Sequence, residues 1–205
     1  MQLKFTSNVD QFQKRINLIA TSQLPYVVSL ALNRTAIAAK DAVQARMKDV
    51  FDKPVDFTVN AAAIRYANRS NLVAFVFVKE KQAGYLKRQE AGGTRTPENT
   101  AGAGKKSFLI PIKDNVDLNQ FGNLSRNKVK SLKARKDVFV GNVHGHGGIY
   151  QRLDNGKLKM LIAFENRSEY KKNFNFKKTV NAVAFANLKK NFQDAWSSAL
   201  ASYKA

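Results

Sequence analysis

Apolar residues along this chain switch between a helical and a strand period, and the switches mark its elements. Val9, Phe12, Ile16 and Ile19 fall on one face of a first helix, with Ser7 or Asn8 placed to cap it and a short strand at Gln2–Phe5 ahead. Pro25 suits the first turn of a second, longer helix, where its missing N–H costs nothing. Val27, Leu30, Ala31, Ile37, Ala38, Met47, Val50 and Phe51 keep helical spacing to about Phe51, with the polar run Asn33–Thr35 in the middle. Asp52-Lys53-Pro54 ends that helix, because the residue before a proline is pushed out of helical geometry. The period then shortens. Phe57–Val59 and Ile64–Tyr66 predict short strands, and Leu72–Val78, apolar on both faces, predicts a central strand covered on both sides. Lys81–Ala91 returns to helical spacing and stops at Gly92-Gly93.

The stretch Thr94–Lys106 (TRTPENTAGAGKK) has almost nothing to bury, which predicts a mobile insertion over about residues 92–107. Phe108–Ile112 follows as a strand, and Pro111, unable to donate to a ladder, assigns it to an edge or a strand end. Lys128–Lys136 predicts a short basic helix and Val138–Val143 a strand. Gly148–Leu153 and Leu158–Phe164 flank Asn155-Gly156, a pair suited to the two positive φ angles of a type I′ hairpin turn, with Leu158, Met160, Ile162 and Phe164 on one face. Phe185, Leu188, Phe192, Trp196, Ala199, Leu200 and Tyr203 recur at helical intervals and predict a long final helix. The expected architecture is a single α+β domain over residues 1–205. Its mostly antiparallel sheet of about five or six strands is packed by two long helices, one from each end of the chain.

Composition adds a partner class. Lys and Arg number 35 against 15 Asp and Glu, a formal charge of +20, which attracts polyanions such as DNA phosphates or acidic protein surfaces. The absence of cysteine excludes disulfides, thiol chemistry and thiolate metal sites. The start, MQLKFTSNVDQF, lacks the pattern of a secretory signal, and no apolar run reaches membrane-spanning length, so a soluble protein assembled in the cytoplasm is expected.

Local chemistry is sparse. Gly102–Ser107 resembles the tail of a phosphate-binding loop. The residue five before Gly104 is Asn99, Lys106 stands where Ser or Thr is needed, and a strand follows in place of a helix. His144 and His146 alternate on an extended segment, yet no Cys and no carboxylate at suitable spacing completes a metal site. No Ser lies in a nucleophile-elbow sequence, and Glu80, Glu90 and Glu165 are flanked by Lys or Arg like surface pairs. The expectation is a protein that is not an enzyme, with no catalytic residues, cofactor or metal. Basic residues cluster instead. Lys79, Lys81, Lys87, Arg88, Arg95, Lys105 and Lys106 lie around the insertion, and Arg126, Lys128, Lys130, Lys133, Arg135 and Lys136 form a second block. On a helix, Arg126, Lys130 and Lys133 would share one face and Lys128 and Arg135 another, as a surface that follows a phosphate backbone needs.

Several segments, in order, resemble the tail-completion and neck (head–tail joining) proteins of tailed bacteriophages, the family that includes the lambda-type minor tail protein Z. SLALNRTAIAAKDAVQARM (Ser29–Met47) is similar to the Ala-Asn-Arg helix near their start, and YLKRQEAGGTRTP (Tyr85–Pro97) to their tyrosine-to-double-glycine stretch. FLIPI (Phe108–Ile112) resembles the strand that follows, and NQFGNLSRNKV (Asn119–Val129) an Asn-x-aromatic-Gly-Asn element. The close, with Tyr170, Phe174 and Phe176 before a helix carrying Phe192 and Ala199, is similar to that of the head–tail joining proteins. The resemblance implies a ring-forming structural subunit of the virion without a cofactor. Its partners would be a head connector or adaptor and a tail terminator or tail tube, with room for a non-specific contact with DNA. Residues 92–106 would then be an arm that orders on a neighbour. The alternative from the basic blocks alone is a cytoplasmic, non-specific nucleic-acid-binding protein, and a nuclease ranks third.

Overall fold

The computed structural model describes residues 13, 14, 17, 19–97 and 107–203. The strand expected at Gln2–Phe5, the cap at Ser7 or Asn8, and Val9, Phe12 and Ile16 lie outside these residues, as do Lys105 and Lys106. Among the described residues the chain is α+β, with five α-helices and eight strands in three antiparallel sheets. It divides into two compact units. One comprises the chain to Met47, Phe57–Ala83 and the stretch from Asn175 onward; the other comprises Lys48–Asp56 and Gly84–Phe174.

In the first unit a π-helical turn, Ile19–Gln23, leads into helix α1, Leu24–Val50, whose residues to Met47 belong to this unit. Pro25 occupies its first turn, directly after the π-helical turn. The run Asn33–Thr35 leaves α1 unbroken because its buried polar atoms are satisfied. The Thr35 hydroxyl donates to the Ala31 carbonyl at 2.8 Å and accepts from Asn191 Nδ2 at 2.9 Å. Asn33 Nδ2 donates to the Ala67 carbonyl at 3.0 Å, and the Ala67 N–H donates to Asn33 Oδ1 at 2.8 Å. Helix α2, Asp56–Val59, replaces the strand expected at Phe57–Val59; its turn is closed by the Ala61 N–H on the Thr58 carbonyl and by Gln82 Nε2 on the Phe57 carbonyl. These bonds outweigh a weak local β preference.

Strands β1, Ala62–Arg65, and β2, Phe75–Val78, form a two-stranded sheet with Ala62 opposite Val78 and Arg65 opposite Phe75. The strand expected to be central is therefore one side of a short ribbon, and Phe75 and Phe77 remain 48% and 40% exposed. A continuous apolar run signals burial on both faces only where other elements stack on both. Later in the chain, helix α5, Phe176–Tyr203, packs on α1 through Val27, Ala31, Ala195 and Ala199, with Leu30 and Trp196 beside them. The small residues at the crossing allow the two backbones to approach closely.

In the second unit, helix α3, Glu80–Ala91, contributes its residues from Gly84 on and ends at Gly92, whose φ of 74° only glycine adopts easily. Strand β3, Gly93–Arg95, pairs with β8, Ser168–Tyr170, so the start of the expected insertion is held in a ladder. A four-stranded sheet runs β4-β7-β6-β5, built from β4 (Phe108–Pro111), β5 (Val138–Val143), β6 (His146–Arg152) and β7 (Leu158–Glu165). β4 lies at an edge, as Pro111 requires. Helix α4, Lys128–Lys133, sends Leu132 into the core on one face of this sheet, among Val116, Val138, Ile149, Leu161 and Ile162.

Two expectations about the hairpins change. The register of β6 and β7 shifts between Ile149, opposite Ile162, and Tyr150, opposite Met160, so Leu161 is an extra residue. Met160 and Ile162 thereby face opposite sides, and Leu158 is left exposed while Phe164 reaches the core. Of the Asn155-Gly156 pair, only Gly156 has positive φ (75°). Gly156 N–H bonds the Leu153 carbonyl and Leu153 N–H bonds the Lys157 carbonyl, which describes a three-residue loop with a glycine bulge instead of type I′. The turn with consecutive positive φ angles is His144-Gly145, at 51° and 86°, between β5 and β6.

Candidate functional site

Of the basic residues singled out in the sequence and described by the structure, Lys79 and Lys81 belong to the first unit and Lys87 to Lys136 to the second. Arg88, on α3, reaches the Thr94 carbonyl with Nη1 at 3.4 Å. Arg95, on β3, holds its guanidinium 4.4 Å from the centroid of the Phe108 ring on β4. This cation–π contact draws together the two ends of the stretch that carries Lys105 and Lys106. Arg88 and Arg95 thus serve local structure.

The second block is divided. Helix α4 covers only Lys128–Lys133, so Arg126 and Arg135 lie outside it and the two expected helical faces do not form. Leu132 points into the core, and Lys130 and Lys133 stand exposed. Lys128 donates to Asp117 Oδ2 at 2.8 Å and is half-buried, while Asp117 is almost fully exposed. Arg135 binds Asp137 through both Nε, at 3.0 Å, and Nη2, at 2.5 Å, and Gln151 Nε2 donates to the same carboxylate at 2.9 Å. The hydrogen bond and charge of Lys128 hold Asp117 below the usual carboxylate range. The hydrogen bonds of Arg135 do the same for Asp137, partly opposed by burial and helped by Gln151, and Asp137 in turn raises Arg135. Exposed Arg126, Lys130, Lys133 and Lys136 make no ion pair among the described residues, and they form the part of the block available to an anion.

A second surface lies in the first unit. Val28, Ala31 and Leu32 of α1 and Phe185, Leu188, Lys189 and Phe192 of α5 line an open groove of about 390 Å³ whose walls are almost wholly apolar. Phe185 is 86% exposed, and Leu188 and Phe192 are 43% and 36% exposed. Among the α5 residues whose side chains are described, only Ala195 and Ala199 are buried. A phenylalanine standing almost entirely in water is a large apolar area left uncovered by the described residues. Helical periodicity identified this stripe as one face of a long helix. It reports which residues share a face and carries no information on whether anything covers them.

Among the described residues, no three His, Cys, Asp or Glu side chains gather as a metal site. His144 takes the first position of the β5–β6 turn and His146 opens β6 opposite Val143. Among the described residues, no helix is long and apolar enough to cross a membrane. Among known proteins, no family model, no curated protein and no solved structure matches the chain. The two surfaces, an apolar groove and an exposed basic cluster, are suited to binding, one to an apolar partner and the other to an anion.

Proposed function

We propose that this chain is a structural virion protein of a tailed phage, a tail-completion or neck subunit that joins the tail to the head connector as part of a ring. The observation that carries an assembly role is the apolar groove lined by Phe185, Leu188 and Phe192, together with exposed Phe75 and Phe77 on β2. Monomers that work alone seldom leave such contiguous apolar area in water, whereas subunits that acquire permanent neighbours do. Rotational symmetry would multiply a modest contact around the ring. The phage placement rests on the resemblance of the ordered segments from Ser29–Met47 to the closing helix.

The test is complementation of a phage lacking this protein with Phe185→Glu. Folded protein, unjoined heads and tails and a large fall in titre are expected. Normal particles at normal titre would refute the assembly role of this face. Exposed Arg126, Lys130, Lys133 and Lys136 favour a second reading, non-specific nucleic-acid binding. It predicts DNA affinity that falls steeply with salt, with a log–log slope of about −0.9 per phosphate contact, and that Lys130→Glu/Lys133→Glu lowers. No DNA binding at low salt would remove it.

A further inference from the structure

The chemistry of the α1–α5 groove narrows what can fill it. Its one charged lining side chain is Lys189, and the other lining residues are apolar and offer no side-chain hydrogen-bonding group. An extended peptide binds chiefly by adding main-chain hydrogen bonds to a sheet edge, and two helices present none. A helix satisfies its own backbone and needs only apolar anchors, so it suits these walls. From Phe185 to Phe192 the groove runs about 10 Å along α5, at ~1.5 Å per residue, which seats about two turns of a docked helix.

Charge selects between occupants. Helix α5 carries Lys177, Lys178, Lys189 and Lys190 against the single acid Asp194. Lys178 precedes Phe185 by seven residues, two turns, and so continues the same stripe beyond the groove. A second copy would bring the same lysines and a further +20 of formal charge to a surface where charges within about 8 Å remain unscreened at physiological salt. We infer that the groove binds an amphipathic helix of a partner protein, with an apolar i, i+3, i+4, i+7 face and acidic residues along the flank that meets Lys178 and Lys189. This inference rests on the assembly reading only in taking the groove to be a protein contact; the acidic helical partner is an addition to it.

Trp196 reports on the site, since its ring stacks on Phe192 at 6.3 Å between centroids and it is the only tryptophan. The experiment titrates the full chain with two synthetic helical peptides that share a leucine face, one flanked by Glu and the other by Lys, and follows Trp196 fluorescence. The Glu peptide should give a saturable change that weakens with salt and about thirtyfold in Phe185→Ala, the size of a 2 kcal/mol anchor. Lys189→Glu should abolish the preference for the Glu peptide. Phe185→Ala should melt like the parent, because that ring is exposed. Equal binding of both peptides, binding of neither, or a concentration-dependent dimer that Phe185→Ala dissolves would overturn the inference. If the Glu peptide fails while Phe185→Glu still leaves heads and tails unjoined, the partner chemistry is wrong and the assembly reading survives. If the Glu peptide binds while that variant yields normal phage, the groove stands and the assembly reading falls.

Discussion

Asn33 is the most informative residue to remove, because its amide acts as a two-way clamp on a distant backbone. Its Nδ2 donates to the Ala67 carbonyl at 3.0 Å and its Oδ1 accepts from the Ala67 N–H at 2.8 Å, across 34 residues of chain. Ala67 is buried at 6% exposure. Asn33→Ala leaves that N–H and carbonyl without partners. An unsatisfied buried donor costs about 1–3 kcal/mol, and a carbonyl, which has a second lone pair, costs less. The sum is about 2–4 kcal/mol. With a urea dependence of about 2 kcal/mol per molar, the midpoint should fall by about 1–2 M.

Urea unfolding followed by Trp196 fluorescence measures this directly, since Trp196 and Asn33 belong to the same unit. Asn33→Asp separates the two bonds. It keeps an acceptor for the Ala67 N–H but faces the Ala67 carbonyl with a carboxylate, so it should lose at least as much stability as Asn33→Ala. A midpoint shift below about 0.3 M in Asn33→Ala, or full recovery in Asn33→Asp, would refute the clamp. Either result would mean that water satisfies Ala67 as well as the amide does.

Three further outcomes follow from the second unit. A methyl group at Gly148 would sit 2.6 Å from the Ile162 carbonyl oxygen, so Gly148→Ala must displace the β6–β7 backbone; a loss of about 3 kcal/mol and a melting point lower by about 6–12 °C are expected, and an unchanged melt would refute the close approach. His144 holds a φ of 51°, which Asn tolerates better, so His144→Asn should gain about 0.5 kcal/mol and raise the melting temperature by about 1–2 °C by differential scanning calorimetry. Asp137 is held below the usual carboxylate range by Arg135, so its ionised form favours the fold: this contribution is present above the unfolded-chain value near pH ~4 and is lost as pH falls through the lower folded value. Melting curves from pH 7 to pH 2 should show Asp137→Asn less stable at neutral pH and converging on the parent in acid; parallel curves would contradict the pairing.

The helices other than α2 were legible because their signals are local. Pro25 marks the start of α1, and the spacing of Phe185 to Tyr203 marks α5, whatever else the chain does. The edge position of β4 was also readable, since Pro111 lacks a donor. The grouping of strands was not readable, because pairing is a contest among all of them. LVAFVFV has the composition of a central strand, yet its partner β1 is only four residues long and no further strand among the described residues extends the ribbon. The bulge at Leu161 breaks a clean alternation through the cross-strand register, a property of two strands together. Turn type followed loop length: Asn155-Gly156 sits in a three-residue loop, while His144-Gly145 occupies the two-residue one. Among candidate site residues, the identity of the cations was plain. The pairing of Lys128 with Asp117 and of Arg135 with Asp137 was not, and it withdraws two of the expected contacts from an anion's reach.

The apolar groove and the unpaired basic cluster belong to different units, and that separation makes the competing functions experimentally independent. A nucleic-acid-binding protein has no need of a phenylalanine 86% exposed on α5, because phosphate affinity depends on Arg126, Lys130, Lys133 and Lys136 in register with a backbone. An assembly subunit needs the reverse. Its affinity depends on desolvating Phe185, Leu188 and Phe192, while exposed lysines at the rim set encounter rate and exclude like-charged partners. Lys130→Glu/Lys133→Glu and Phe185→Glu therefore act on different terms. If the first changes only salt-dependent DNA affinity and the second only head–tail joining, one chain performs both tasks with separate surfaces. If the charge pair also blocks joining, the partner that meets the basic cluster in the particle is itself an anion, and the net charge of +20 serves assembly.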